Sequence, residues 1–253
     1  MYLKSLENVD WAACGHAYGS ATEVPDQLRA LLNPSHMVRV KAHDWLQSHL
    51  VHQGTRYPAA VPTIPVLLEM LHWSELPDAN QVVDLLAYIA IGDDHYHLVN
   101  GFDPAYLKGD VPNRCYQAVL EQMENLLTLY ERRPDLRVHL AYLLAWFPKF
   151  YPLIKGRLPL AGLSGILALG LLERPLGLAP SAGMLLKHPD PSVRTAAALS
   201  CARQPLEPEL EKILHEGLAN PDLQSILYNE GDWHGWIELV LEATGEPLPD
   251  PGR

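Results

Sequence analysis

Cysteine is scarce in this sequence, and its few cysteines cannot build a disulfide framework. Among 253 residues there are three, Cys14, Cys115 and Cys201. They lie far apart, and none belongs to a Cys-x-x-Cys pair, which argues against zinc binding as well as against disulfides. Each falls in a segment with helical periodicity, so we expect three buried thiols.

Long apolar runs are also missing. Residues 1–10 contain no apolar stretch of the kind that forms a signal peptide, and no run of about eighteen apolar residues follows. The most apolar segment, 160–172, is too short to cross a bilayer, and its glycines suit close helix packing. The sequence therefore predicts a cytoplasmic protein that has no membrane partner.

The common catalytic motifs are absent from the sequence. There is no Gly-x-Ser-x-Gly nucleophile elbow, no His-Glu-x-x-His metal motif and no glycine-rich loop of the phosphate-binding type. These absences argue against the hydrolases, zinc proteases and nucleotide-binding enzymes that depend on such motifs. We therefore expect a protein that is not an enzyme and binds no cofactor.

Proline, in contrast, is abundant, and most prolines precede apolar runs. The chain has 22 prolines. Pro25, Pro65, Pro112 and Pro180 each stand before residues with helical apolar spacing, and proline suits the first turn of a helix. Alternating patterns of the kind that strands show are missing. The sequence therefore predicts an all-α chain.

The architecture is indicated most strongly by residues 189–202, Pro-Asp-Pro-Ser-Val-Arg-Thr-Ala-Ala-Ala-Leu-Ser-Cys-Ala. Asp190 can cap a helix that follows the prolines, and small residues on one face, including Ala197, let a neighbouring helix approach closely. With Arg194 beside that face, the stretch resembles the start of the second helix of a HEAT repeat. In that family the matching arginine ties a neighbouring acidic side chain, which is a structural role.

Four other segments repeat the turn-to-helix signal. Asn33-Pro34 precedes Val38, Arg39 and Ala42 in the same register. Partial matches occur at Leu76-Pro77-Asp78, Arg133-Pro134-Asp135 and Asn220-Pro221-Asp222. The resemblance implies one α-solenoid of roughly five HEAT-like helical hairpins over residues 1–253. Its expected parts are N-terminal repeats at about 1–92, an insertion loop at about 93–111, C-terminal repeats at about 112–245 and a disordered tail at about 246–253.

The N-terminal third carries two further elements, His16-Ala17-Tyr18-Gly19 and His52-Gln53-Gly54-Thr55. They resemble elements of a group of bacterial HEAT-repeat proteins, and some HEAT-type proteins are immunity proteins that neutralise the toxins of rival bacteria. We interpret the second element structurally, with Gly54 ending a helix over 36–51.

Twelve histidines raise the question of a metal site. HEAT-type hydroxylases bind two irons through repeated His-Glu pairs, but here that pair occurs once, at His215-Glu216. This departure argues against a di-iron enzyme. A loop with several ligand-type side chains is the remaining candidate for a metal-dependent HEAT enzyme. Its residues are Asp93, Asp94, His95 and His97.

A nucleic-acid interface is a further alternative, because some HEAT solenoids are DNA glycosylases. Aromatic and basic residues are interleaved over 146–151, and Lys155 and Arg157 follow. Against this interpretation, 19 basic and 30 acidic residues give a net charge of −11, which repels a duplex. We therefore expect no nucleic-acid partner.

The negative charge is concentrated at the C-terminal end. Residues 206–253 hold eleven acidic and two basic residues, a net charge of −9. Aromatic anchors among carboxylates suit a binder of a basic protein, since the aromatics supply contact area and the charges steer association. A polar cap that keeps a terminal repeat soluble is the alternative. The candidate contact residues are Tyr228, Glu230, Asp232, Trp233 and Trp236.

These features together predict a non-enzymatic, protein-binding solenoid. Its specific form would be an immunity-type inhibitor that occludes a basic toxin or effector protein. A HEAT-type enzyme that acts on nucleic acid or through a metal is the first alternative. A scaffold subunit of a larger assembly is the second, and it differs from the favoured function only in its partner.

Overall fold

The computed structural model describes residues 2–92, 100–203, 205–220 and 233–245. They divide into two compact units, the first made of residues 2–92 and 104–136 and the second of residues 100–103 and 137–245. Helices dominate both units, which confirms the predicted all-α class. The expected tail at 246–253 and part of the expected loop at 93–111 lie outside the described residues. The rest of that loop includes a 3-10 turn at Pro104–Tyr106 and the start of a helix at Asp110.

In the first unit, 3-10 turns at Trp11–Ala13, Ala21–Glu23 and Pro134–Leu136 supplement the helices. Buried aliphatic side chains of α4 and α5 supply much of the core of this unit. The helices are α1 (Lys4–Glu7), α2 (Val24–Ala30), α3 (His36–Leu50), α4 (Ala60–Leu71), α5 (Ala79–Ile91), α6 (Asp110–Leu120) and α7 (Met123–Arg132).

The second unit is built around one mostly apolar helix, α10, which packs against its neighbours α8 and α11. Its 3-10 turns are Pro148–Phe150, Leu158–Ala161 and Ser181–Leu185. Its helices are α8 (Arg137–Leu144), α9 (Tyr151–Ile154), α10 (Gly162–Glu173), α11 (Pro191–Cys201), α12 (Pro208–Leu218) and α13 (His234–Thr244).

Two short antiparallel hairpins in the first unit depart from the helical prediction. Strands β1 (Gly15–His16) and β2 (Gly19–Ser20) form one, and β3 (Val51–His52) and β4 (Thr55–Arg56) form the other. The second hairpin corrects the expectation that Gly54 ends a helix. Helix α3 ends at Leu50, and Gln53 and Gly54 both have positive φ, 49° and 75°, as a two-residue hairpin turn requires.

The turn before α3 is held by Arg39. Its Nη1 donates to the carbonyls of Asn33 and Pro34, at 2.8 and 3.0 Å, and its Nε donates to Oδ2 of Asp78 at 2.7 Å. Asp78 directly precedes α5, so one side chain ties together two of the predicted repeat signals. The expected pairing of the motif arginine with an acidic side chain is therefore confirmed for Arg39.

Arg194 holds the turn before α11 in the same way. Its Nη1 donates to the carbonyls of His188 and Pro189, at 2.7 and 2.8 Å, which lie six and five residues upstream as they do for Arg39. Asp190 caps α11 as predicted, accepting a hydrogen bond from the Ser192 amide at 2.8 Å. Among the described residues Arg194 meets carbonyls only. Asp222, the acid of the next turn-to-helix signal, lies outside them, so an acidic partner for Arg194 stays a prediction.

Small residues let α10 and α11 approach closely, as the sequence predicted. Ala197 is fully buried. A Cβ placed on Gly170 of α10 would lie 2.5 Å from the Cα of Ser200, so the two helix backbones are nearly in contact there. Ser200 fills the contact by donating to the carbonyl of Ile166 at 2.8 Å.

The prolines were assigned correctly in two of four cases. Pro25 and Pro112 lie in the first turns of α2 and α6. Pro65 instead lies inside α4, which begins at Ala60, and Pro180 precedes a 3-10 turn rather than an α-helix. Of the described helices, none on its own has both the length and the hydrophobicity needed to cross a membrane.

Candidate functional site

Trp233 and Trp236 are core residues, which corrects their predicted role as surface anchors. Both side chains are fully buried. The indole N–H of Trp233 donates to Oγ of Ser164 on α10 at 2.7 Å, and the two indole rings meet edge to face at 5.6 Å. A partner cannot reach either ring in this arrangement. The other predicted contact residues, Tyr228, Glu230 and Asp232, lie outside the described residues.

The metal-loop candidates Asp93, Asp94, His95 and His97 also lie outside the described residues. Within the described ranges, no three His, Cys, Asp or Glu side chains come together in a way that could hold a metal ion. Cys115 and Cys201 are buried free thiols, as expected, and burial raises their pKa to about 12 and about 11. Cys14 is free but only partly buried.

Exposed acidic residues surround α12 of the second unit, and we call this surface the acidic face of α12. Glu207, Glu209, Glu211 and Glu216 are all exposed there. Lys212 is the nearby cation, and its Nζ lies 3.8 Å from Oε1 of Glu216. Three of these acids stand at the start of the helix, where the helix dipole favours negative charge. The dipole explains why the sequence tolerates them but does not make them less available to a partner.

A small groove borders this face between α11 and α12. It has a volume of about 180 Å³. Its floor is formed where Gly217 meets Thr195, since a Cβ on Gly217 would lie 2.1 Å from the threonine hydroxyl. The groove is lined by Pro191, Arg194, Thr195, Ile213, Glu216, Gly217 and Asn220. Glu216 and the cation Arg194 therefore both line the groove, beside the apolar atoms of Pro191 and Ile213.

The two N-terminal sequence elements meet in the first unit. The amide of Ala17, at the turn of the β1–β2 hairpin, donates to the carbonyl of His49 at 3.0 Å. The Tyr18 hydroxyl lies 3.2 Å from Nδ1 of His52 in the other hairpin. Sequence analysis singled out both elements but not their contact, because neither hairpin was predicted.

Imidazole and aromatic rings stack behind Tyr18. The ring of His49 lies on Trp45, one turn earlier on α3, with centroids 3.7 Å apart and planes 16° apart. Burial lowers the pKa of His49, and the neighbouring His16 and His52 add to this effect. His49 is therefore predominantly neutral near pH 7, and it packs as an aromatic ring.

His16 is the most buried member of this cluster. Its Nδ1 accepts the Tyr18 amide hydrogen at 3.0 Å, so the neutral ring carries its proton on Nε2. That Nε2 has no hydrogen-bond partner among the residues that the structure describes, and the ring meets Trp45 and His49 edge to face. Tyr18, which is 62 % exposed, is the part of the cluster that a partner can touch. An exposed tyrosine backed by a rigid stack suits protein contact.

Two of the four aromatic residues in the stretch 146–151 are core residues. Trp146 and Phe147 are fully buried, so neither offers a face on which a base can stack. Lys155 instead lies over the ring of Tyr151, 5.4 Å from its centre. Phe150 and Tyr151 are half-buried, so burial removes two of the four aromatic side chains on which the nucleic-acid alternative depended.

An open depression of about 650 Å³ in the first unit lies beside the turn between α4 and α5. Arg133 braces this turn by donating to the carbonyls of Leu71 and Trp73, at 3.1 and 2.8 Å. The lining is Leu32, His72, Trp73, Ser74, Glu75 and Pro77. It shows no hydrogen-bonded pair of acid and base that would suggest catalysis in this described part of the chain.

Comparison with known proteins identifies no relative. No family model matches the chain, and neither the curated proteins nor the solved structures include a significant match. The resemblance to HEAT repeats therefore rests on the turn-to-helix signals and on the contacts of Arg39 and Arg194.

Proposed function

We propose that this chain is a non-enzymatic binding protein built from HEAT-like helical hairpins, and that it binds a basic protein. In its specific form it is an immunity-type inhibitor that occludes a toxin or effector. The single observation that carries the proposal is the set of four exposed glutamates on or directly before α12, of which Glu216 lines the groove between α11 and α12.

The repeat part of the proposal is supported by the two turn arginines. Arg39 and Arg194 each donate to carbonyls five and six residues upstream, in separate units of the fold. Each arginine lies in the first turn of a helix, Arg39 in α3 and Arg194 in α11. The alanine three residues later, Ala42 or Ala197, is buried. Two copies of one local geometry favour a repeated structural unit.

The partner part is supported by charge. Exposed carboxylates attract a cationic surface and raise the rate of encounter, and this steering weakens as salt screens the charges. Apolar atoms of Pro191 and Ile213 in the adjacent groove give the complex contact area that salt does not weaken. A basic partner that inserts a small side chain between α11 and α12 fits both features.

The proposal is tested by expressing this chain together with each basic protein encoded by the flanking genes. A toxin partner should arrest growth alone, and co-expression of this chain should relieve the arrest and give a complex on size-exclusion chromatography. A stable complex with a non-toxic partner would favour the scaffold function instead. If the chain forms a complex with none of these proteins, the expectation that a flanking gene encodes its partner is contradicted.

The surface is tested with the double variant Glu209→Lys and Glu211→Lys. We expect association with the partner to slow by about tenfold at low salt, with little change in the dissociation rate. Glu121→Lys, on an exposed residue of the first unit, is the matched control. Unchanged association in the double variant would remove the α12 face from the proposal, and Tyr18→Ala would then test the N-terminal cluster.

The non-enzymatic part has a test of its own. Elemental analysis of the purified chain should find no stoichiometric iron or zinc. If it finds either metal, the metal-dependent alternative gains support, and Asp93, Asp94, His95 and His97 are then the residues to substitute first.

A further inference from the structure

Two arginines meet at the C-terminal end of α11. Nη2 of Arg174 donates to the carbonyl of Leu199 at 3.1 Å. Nη1 of Arg203 donates to the carbonyls of Ser200 and Ala202, at 2.9 and 2.8 Å. These acceptors belong to the last turn of the helix and the residue that follows it, and each helical residue advances by about 1.5 Å. The two guanidinium groups therefore lie within about one helical turn of each other.

Both guanidinium groups keep buried donors that have no acceptor in the described part of the chain. Nε of Arg174 and Nη2 of Arg203 are buried and have no hydrogen-bond partner among the described residues, and the same is true of the indole N–H of Trp236. The guanidinium carbon of Arg174 lies 5.3 Å from the centre of the Trp236 ring. Native proteins leave few buried donors without an acceptor. The loss of stability is largest when the unpaired donor belongs to a charged group.

The charge in this region is also incompletely balanced. Burial, together with the positive charge of Arg203, lowers the pKa of Arg174 to about 9. The neighbouring carboxylate, Glu173, accepts from the Tyr151 hydroxyl and from the amide and hydroxyl of Ser181, and it forms no ion pair with either arginine. The C-terminal end of the helix contributes a partial charge of about −0.5. The positive charge of the two arginines is therefore larger than the combined negative charge of Glu173 and the helix end.

We propose that Arg174 and Arg203 form an oxyanion-binding site at the C-terminal end of α11, specific for a carboxylate or a phosphate group. One oxyanion accepts from Nε of Arg174 and from Nη2 of Arg203. The bound oxyanion supplies acceptors for these two donors and offsets the excess positive charge. The planar guanidinium group of arginine presents parallel donors that suit carboxylate and phosphate oxygens. The Trp236 ring, under Arg174, fixes that guanidinium in place.

This site is independent of the acidic face of α12, because it binds the opposite charge. The oxyanion has two possible sources. It is either a free anion such as inorganic phosphate, or the carboxylate of an acidic peptide in a protein partner. Both present the same group to the two arginines, so the experiment has one arm for each.

The test is a titration of the wild-type chain, observed through the arginine Nε–H resonances in a nitrogen–proton correlation spectrum. Sodium phosphate is added in one arm and an acetylated Asp-Glu dipeptide in the other, with chloride at equal ionic strength as the reference. We expect a saturable shift of the Arg174 resonance. We also expect a rise of about 2 °C in the thermal midpoint at anion concentrations several times the dissociation constant.

Variants assign the response to the site. Arg203→Gln should abolish the saturable shift of the Arg174 resonance, and Arg203→Lys should weaken it by about tenfold because lysine lacks the donor fork. Arg114→Gln, which removes an exposed arginine of the first unit, should leave it unchanged.

The outcomes show whether the site binds an oxyanion and which of the two sources it prefers. Tighter binding of phosphate assigns the site to free anions, and tighter binding of the dipeptide assigns it to acidic peptides. Absence of a saturable shift in both arms would overturn the proposal, because Arg174 and Arg203 would then act only as caps of α11. The result on the wild-type chain decides this even where a variant does not fold.

Discussion

Nε of Arg39 lies 2.7 Å from Oδ2 of Asp78, and this contact joins the turn before α3 to the turn before α5. The Arg39 side chain is about one-tenth exposed, and its Nη1 also holds two carbonyls of its own turn. Arg39→Ala removes three hydrogen bonds to buried or half-buried groups. We expect the free energy of unfolding to fall by about 2–3 kcal/mol, measured by urea denaturation.

The control for Arg39→Ala is Arg29→Ala. Arg29 pairs with Asp26 at 3.0 Å, but its side chain is 55 % exposed. An exposed pair contributes about 0–1 kcal/mol, so this variant should remain near wild type. Equal stability of the two variants would contradict a structural role for Arg39.

The same contact predicts a dependence on pH. The hydrogen bond from Arg39 holds the pKa of Asp78 below its ordinary value, and His36 adds to this effect. A carboxyl with a depressed folded pKa stabilises the fold above its unfolded pKa of about 3.9, and this contribution is lost as the pH falls through the folded pKa. The stability difference between wild type and Arg39→Ala should therefore be constant from pH 7 to about 5 and shrink below about pH 4. Urea denaturation at pH 7, 5 and 3 measures it, and a constant difference at all three would contradict the assignment to Asp78.

Close packing of α10 on α11 gives a third prediction. A Cβ on Gly170 would lie 2.5 Å from both the Cα and the Cβ of Ser200, so the backbones would have to move apart. Overpacking costs about 1–3 kcal/mol, whereas alanine gains up to about 1 kcal/mol over glycine in a helix. We expect Gly170→Ala to lower the free energy of unfolding by about 1–2 kcal/mol.

Gly156→Ala is the matched control for that packing contact. Nothing lies within 4 Å of a Cβ on Gly156, which is exposed. Thermal or urea unfolding of this variant should match wild type within about 0.5 kcal/mol. If Gly170→Ala is as stable as Gly156→Ala, the two helices do not approach as closely as the structure shows.

Local signals in the sequence predicted the helices but not the hairpins. Asp190 and the prolines around it specify the start of α11 through contacts within a few residues, and the structure confirms this helix start. Strands of two residues, such as β3 and β4, are too short to show alternation, so their pairing left no pattern to find. The contact between Tyr18 and His52 depends on both hairpins and could not be predicted without them.

The candidate site was less predictable from the sequence. Aromatic residues that alternate with acidic residues occur both in helices that pack in a core and in protein interfaces, so composition alone does not distinguish the two. Trp233 and Trp236 were interpreted as surface anchors on that basis. The spacing of Trp236, Val240 and Leu241 did carry a signal of burial, since these positions share one face of α13. The acidic face of α12 was easier to predict than the positions of the tryptophans. Glutamates in a helix are usually exposed, so their exposure can be expected without knowledge of the tertiary structure.

Burial of Trp233 gives the last prediction. Its indole N–H donates to Oγ of Ser164, which in turn donates to the carbonyl of Val138 at 2.8 Å. Trp233→Phe keeps most of the buried area but loses this hydrogen bond, so it should lower the free energy of unfolding by about 1–2 kcal/mol. Trp233→Ala also opens a cavity and should cost about 3–5 kcal/mol, with a loss of blue-shifted tryptophan fluorescence. A surface anchor would instead leave stability within about 0.5 kcal/mol.

A double-mutant cycle isolates the hydrogen bond from the packing. Ser164→Ala removes the acceptor, so Trp233→Phe made in that background should cost less than it does in the wild-type chain, by about 0.5–1.5 kcal/mol. The coupling is measured by urea denaturation of the four proteins. Full additivity of the two substitutions would mean that Trp233 stabilises the second unit by packing alone, because a hydrogen bond between the two side chains must appear as a coupling between them.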